Sequence, residues 1–274
     1  MIKDIVNKLY MELPDIARTL LYQNKNLTEI PQELIENPDS EKFHDSKWHQ
    51  WGIISHTKNL EKVFREELVD YLEEWKMKEK ILSHMKKEID NIEKLDLFVI
   101  SMVLHDIGKY LTIDIITRDD GSEFYKFKDH EKASGNIIRD KEFADKLKKY
   151  GLTLNQMEYI ARTAELHFEL GILRKKVKET EGGFTLECVK NPLIEEMCRK
   201  IISDNEDFKF EIGIFFLIDN LGKMDMRIKD ENNEMEIEKA KKEIEMKNLH
   251  PNIINGVIQL PINIAFAKKY FDLC

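Results

Sequence analysis

Cysteine is scarce in this chain. Its 274 residues include three, Cys188, Cys198 and the last residue, Cys274. That is too few and too scattered for a disulfide framework or a thiolate zinc site, so a reducing, cytoplasmic setting is expected. Long apolar runs are also missing. The two longest, residues 97–104 and 212–218, are much shorter than a membrane span, and no basic segment followed by an apolar stretch opens the chain. Neither insertion nor secretion is therefore expected. Positive charge is in deficit as well: the net charge of −9 argues against gripping an extended nucleic-acid duplex by neutralising phosphates, and favours small ligands. What is present is 42% hydrophobic and 35% charged residues, enough for a real core and far too ordered a composition for disorder.

Glycine and proline are rare, and apolar residues recur at three- and four-residue spacing along most of the sequence. The expected class is all-α, with about ten helices and one or two small β-hairpin insertions. Residues up to Pro38 read as two or three short helices broken at Pro14 and Pro31. The helical pattern fails at 116–127, around Asp120-Gly121, and at 176–189, around Gly182-Gly183, each a candidate hairpin. Residues 229–247 read as a strongly charged helix and 251–271 as an apolar tail that docks on the body.

The chemistry begins with His56, which shares the apolar face formed by Ile53, Leu60, Val63 and Phe64. A lone core histidine is more often a hydrogen-bonded bystander than a ligand. Residues 95–109 then read as an almost wholly apolar helix ending in His105-Asp106, and a carboxylate on such a helix is costly unless it is paired or binds a cation. A salt bridge to a nearby Lys or Arg is the plain alternative, but His105 adds a neutral nitrogen donor beside the oxygen. His130 opens another helix. His167 ends one that starts with the capping box Thr153-Leu154-Asn155-Gln156. Asp219 closes the run Ile212-Gly213-Ile214-Phe215-Phe216-Leu217-Ile218. Several unrelated buried polar groups would each need separate compensation, whereas one metal centre accounts for them together.

These residues, in this order, resemble the HD-domain metal-dependent phosphohydrolases, named for a His, a His-Asp pair and a later Asp. The matching stretches are Trp48-His49-Gln50-Trp51-Gly52-Ile53-Ile54-Ser55-His56-Thr57, Leu104-His105-Asp106-Ile107-Gly108-Lys109 and Leu217-Ile218-Asp219-Asn220-Leu221-Gly222-Lys223. Between them, His130 and His167 look like the extra histidines of members that hold a second metal. The style is similar to the HD domain accompanying some transfer-RNA nucleotidyltransferases, and the likeness spans residues 48–227. It implies that His56, His105, Asp106 and Asp219 hold a first metal, and that Asp106 bridges to a second held by His130 and His167. The cofactor expected is one or two divalent ions among Fe, Mn, Zn, Ni, Co and Mg, with iron or manganese foremost. Residues 1–40 are then an N-terminal helical cap, 41–228 the HD-type metal-binding domain, and 229–274 C-terminal helices on the same body.

The leading functional expectation is hydrolysis of a phosphomonoester or phosphodiester, of a nucleotide or a nucleic-acid end, by a water that the metals acidify. Asp106 and Lys109 are the catalytic candidates. Lys109 reads equally as a phosphate clamp or as a solvated lysine. Arg162 and His49 are further substrate-side candidates, and Arg174-Lys175-Lys176 reads as a solvated loop. Asp225 competes with Asp219, which alone follows the apolar run directly. His44, His84 and His250 sit in polar stretches and receive no role. Two other readings remain: a mixed-valent di-iron oxygenase on the same six ligands, and a non-catalytic sensor with this fold. A small phosphorylated substrate is the expected partner, with no membrane and no duplex; nothing in the sequence speaks to oligomeric state.

Overall fold

Helix takes most of the chain because apolar residues repeat at helical spacing and few glycines or prolines interrupt them. The computed structural model describes residues 2–44, 47–117, 119, 121 and 123–274. It is mostly helical, as expected, with two small antiparallel hairpins, one of them the unexpected pairing of Glu88–Ile89 with Ile92–Glu93, and its helices are more numerous and shorter than ten long ones. No helix among the described residues is long and apolar enough to cross a membrane. The chain falls into two compact units: Met1–Asp45, Trp51–Glu61 and Leu82–Leu166 form one, and Ser46–Gln50, Lys62–Ile81 and His167–Cys274 the other.

At the centre of the first unit runs helix Lys94–Leu104, whose residues 97–104 are all buried. It is apolar on every side, the signature of a helix surrounded by others. Helices Ile2–Gln23 and Leu154–Leu166 pack against it. Helix Ile2–Gln23 runs unbroken through Pro14, contrary to the expected break. A proline inside a helix costs about 3 kcal/mol, but the buried stripe Ile5, Leu9, Leu13, Ala17, Leu20 and Leu21 extends across it and keeps both halves on one core. The hairpin expected at 116–127 is present as Ile113–Thr117 paired with Glu123–Phe127; Asp120 of its turn lies outside the described residues. The helix expected to run on from His130 is two, His130–Arg139 and Lys141–Lys149, divided at Asp140, whose carboxylate caps the second by accepting from the Glu142 N–H. The capping box forms as read: Gln156 Oε1 accepts from the Thr153 N–H at 2.9 Å, and Thr153 Oγ1 from the Gln156 N–H at 3.3 Å.

In the second unit, helix Lys209–Gly222 is buried from Phe210 onward and packs on helices Glu169–Glu181 and Ile253–Leu273. The second expected hairpin does not form. Residues 169–181 are one helix, ended by Gly182 in the left-handed region (φ 71°), and Thr185 caps the next helix, Leu186–Lys190. Leu170, Leu173 and Val177 fall on its buried face, so the three-four period outweighs the alternation at 176–189. Arg174-Lys175-Lys176 is accordingly helical, not a loop. The charged helix is present as Glu234–Met246; Ala240 and Ile244 bury against Met224, Met226, Ile228, Ile253 and Val257.

Candidate metal centre

Four local devices aim side chains at one point in the first unit. The buried helix Lys94–Leu104 delivers His105 and Asp106 at its C-terminal end, and the chain turns at once into helix Gly108–Thr112. Helix Ile53–Glu66 carries His56 in its first turn. Its start is held by Asp39, which accepts from the Ser55 backbone N–H (2.8 Å) and from the Ser55 hydroxyl (2.6 Å). His130 is the first residue of its own helix, entered through Asp129 in the left-handed region (φ 54°). His44 closes the 3-10 turn Glu41–His44.

Gly108 explains how two of these devices come so close. A Cβ there would stand 2.2 Å from the carbonyl oxygen of His130 and 2.6 Å from the Ser134 nitrogen, so only glycine lets the helices touch at this point. The contact is tied by the Gly108 N–H donating to Ser134 Oγ at 2.9 Å.

The resulting cluster is buried. His44, His56 and His105 are fully buried and Asp106 is 2% exposed. His56, His105 and Asp106 each offer a ligand atom within 4.8 Å of the others. His105 Nε2 lies 3.2 Å and His56 Nε2 4.0 Å from Asp106 Oδ2, and His130 Nε2 lies 3.4 Å from Oδ1. The tautomers follow from the opposite ring nitrogens: Nδ1–H of His105 donates to the Met102 carbonyl (2.7 Å), and Nδ1–H of His130 to the Phe127 carbonyl (2.9 Å). Rings fixed this way turn their Nε2 atoms toward the carboxylate, and neutral imidazoles there would face it acceptor to acceptor, an arrangement that a cation between them relieves. The donor set therefore fits a divalent ion.

Protonation supports the same picture. Burial lowers the His130 value to about 4, with Lys109 and His105 adding to the effect and Asp106 opposing it. Burial and the Lys109 ammonium likewise hold His44 well below the usual imidazole range. Burial alone would raise Asp106, yet His105, Lys109 and His130 together hold it well below the usual carboxylate range. At neutral pH His44 and His130 are thus unprotonated beside the Asp106 carboxylate, the ionisation states that metal binding requires.

Lys109 is not solvated: it is 6% exposed, and its ammonium donates to Asp106 Oδ2 at 2.7 Å and to His44 Nε2 at 2.8 Å. The plain salt bridge considered from sequence is therefore real, and it coexists with the imidazole cluster. His44, to which the sequence assigned no role, faces the same carboxylate, with Nε2 4.0 Å from Asp106 Oδ2. It stands outside any long amphipathic helix, so no periodic pattern marks it. Arg162 sits on helix Leu154–Leu166 with its guanidinium on Glu165 (3.2 Å).

In the second unit, His167 is buried with its ring 5.8 Å from that of Phe215. Asp219 is buried and paired with Lys223 at 3.0 Å. The neighbouring Asn220 accepts from Asn263 (2.9 Å), which in turn accepts from Arg174 (2.9 Å), a chain of polar groups along helix Lys209–Gly222. Asp225, the rival to Asp219, is 42% exposed and engaged by Gln50 and Lys247. His49 is half-buried in this unit. His84 accepts from Lys94 at 3.1 Å, and His250 accepts from the Asn252 N–H.

Among known families, the model of the HD domain matches residues 67–204, half of the chain. His105, Asp106, His130 and His167 fall within the match, and His44, His56 and Asp219 outside it. No curated protein matches the chain.

Proposed function

Since the chain belongs to the HD domain family, we propose that it is a metal-dependent phosphohydrolase, cleaving a phosphomonoester or phosphodiester of a small substrate such as a nucleotide. The observation that carries this reading is the buried cluster of His56, His105, Asp106 and His130, with two tautomers fixed by backbone carbonyls. His56, His105 and Asp106 would hold one divalent ion, and Asp106 and His130 would help to hold a second. The family likeness adds His167 and Asp219 to the ligand set. When bound, a divalent ion there would supply acidification of water and neutralisation of charge on phosphoryl oxygens.

The chain's own groups do the rest. Asp106 is held well below the usual carboxylate range, with the Lys109 ammonium 2.7 Å from its Oδ2, so it is ready as a ligand at neutral pH. Lys109 places a fixed positive charge at the carboxylate, where a phosphoryl oxygen would gather charge in the transition state. The backbone carbonyls of Met102 and Phe127 hold the imidazoles in the orientation that ligation needs. Arg162 and His49 are proposed as substrate-side residues.

The deciding experiment is elemental analysis of the purified protein beside His105→Ala, Asp106→Ala, His167→Ala and Asp219→Ala, with assays on chromogenic phosphomonoesters and phosphodiesters. The proposal expects about one or two ions per chain, ester hydrolysis, and loss of both on substitution at His105 or Asp106. Full metal content in those two variants would overturn the site. Iron without ester cleavage, together with oxygen uptake, would replace the hydrolase by the oxygenase.

A further inference from the structure

Lys109 is gripped from three sides. Its ammonium donates to Asp106 Oδ2 (2.7 Å) and to His44 Nε2 (2.8 Å), and it stands 5.6 Å from the centre of the Phe127 ring. His44 can accept because its own Nδ1–H is spent on the Trp51 carbonyl at 2.9 Å, which leaves the lone pair on Nε2. That ring is fully buried and lies edge-on to Phe127, 6.4 Å between centres. A lysine has a flexible four-carbon stem, and holding its charge at one point requires acceptors on more than one side.

We propose that His44 is a positioning residue for Lys109: a neutral acceptor that fixes the ammonium against Asp106, so that the site presents its positive charge at one defined place to a phosphoryl oxygen. The inference rests on the phosphohydrolase reading for its purpose, though not for its geometry. His44 is not a metal ligand on this account. Its Nε2 lone pair is taken by Lys109, and it falls outside the group of His56, His105 and Asp106 that can share an ion. Nor does either residue belong to a periodic pattern that would pair them from sequence, since they are 65 positions apart.

The test compares His44→Phe, His44→Gln, Lys109→Met and the His44→Phe/Lys109→Met pair. Protein loaded with Zn²⁺, a diamagnetic ion, is used for three readouts: metal content, the ammonium ¹⁵N signal of Lys109 identified by its loss in Lys109→Met, and KM and kcat on bis(p-nitrophenyl) phosphate. His44→Phe is expected to keep its metal and to lose the protected ammonium signal. It should also raise KM by about tenfold or more, the scale of a hydrogen bond to a charged group. Combined with Lys109→Met it should add nothing further, because both act through one ammonium. His44→Gln, whose amide oxygen can accept from Lys109, should recover part of the signal and of KM. Metal loss in His44→Phe would instead make His44 a ligand. An unchanged ammonium signal, or additive effects in the pair, would equally overturn the proposal. If the wild type hydrolyses no ester, the hydrolase reading fails, while the ammonium signal still decides the role of His44.

Discussion

Where Gly108 would carry a side chain, the carbonyl of His130 already stands. Gly108→Ala must push apart the two helices that bring His130 to Asp106, and overpacking of this kind costs about 1–3 kcal/mol. The expected result is a lower melting temperature together with weaker metal binding, measured by calorimetry and by titration with a chelator; unchanged metal affinity would mean the spacing is not critical. His130 yields a second prediction at this scale. In the unfolded chain it takes a proton at the ordinary 6.5, whereas in the fold burial delays this to about 4. Between those values the unfolded state binds more protons, so stability rises with pH there and falls as pH drops from 6.5 toward 4. His44, also lowered by burial, acts in the same direction. Metal-stripped protein should therefore melt lower at pH 5 than at pH 7, and equal melting at both would contradict neutral buried imidazoles.

Two of the helices in the first unit are held by a side chain at their start. Helix Ile53–Glu66 is capped from a distance by Asp39, which binds both the backbone and the hydroxyl of Ser55. Asp39→Ala removes a cap worth about 1 kcal/mol and frees the turn that carries His56. We expect lower thermal stability and a metal affinity that falls with it. By contrast, Gln156→Ala, at the capping box of helix Leu154–Leu166, should cost stability on the order of 1 kcal/mol and leave affinity unchanged, because no ligand sits in that first turn. Metal titration of both variants separates the two outcomes. The capping box was legible because a cap and its partner lie three residues apart. The Asp39 cap was not, since sixteen residues separate it from Ser55. Likewise Pro14 was read as a break because its local cost is visible in sequence, while the core that offsets it is not.

For the molecule as a whole, an ion that binds the folded state alone must stabilise it by mass action. A free-ion concentration a hundredfold above Kd contributes about 2.7 kcal/mol. Chelation should lower the melting temperature of the wild type and leave that of Asp106→Ala unmoved, as differential scanning calorimetry would show. A wild-type transition indifferent to both chelator and added Mn²⁺ or Zn²⁺ would count against a metal coupled to folding. The core helix is the other global determinant. Phe98 is fully buried in helix Lys94–Leu104, and Phe98→Ala should cost about 3–5 kcal/mol, enough to loosen His105 and Asp106 at the end of that helix.

Read by itself, the sequence determined the all-α class, the hairpin expected at 116–127 and the buried character of His56, His105, Asp106, His130, His167 and Asp219. These rest on local information: period, composition, and the cost of a polar group at the end of an apolar run. Tertiary structure alone decided the rest. It extended helix Ile2–Gln23 through Pro14, turned the second expected hairpin into helix, and withdrew Lys109 from solvent. It also brought His44 to the Asp106 carboxylate across more than sixty residues of chain. Such outcomes depend on contacts between distant segments, and their energies appear only once those segments are packed together.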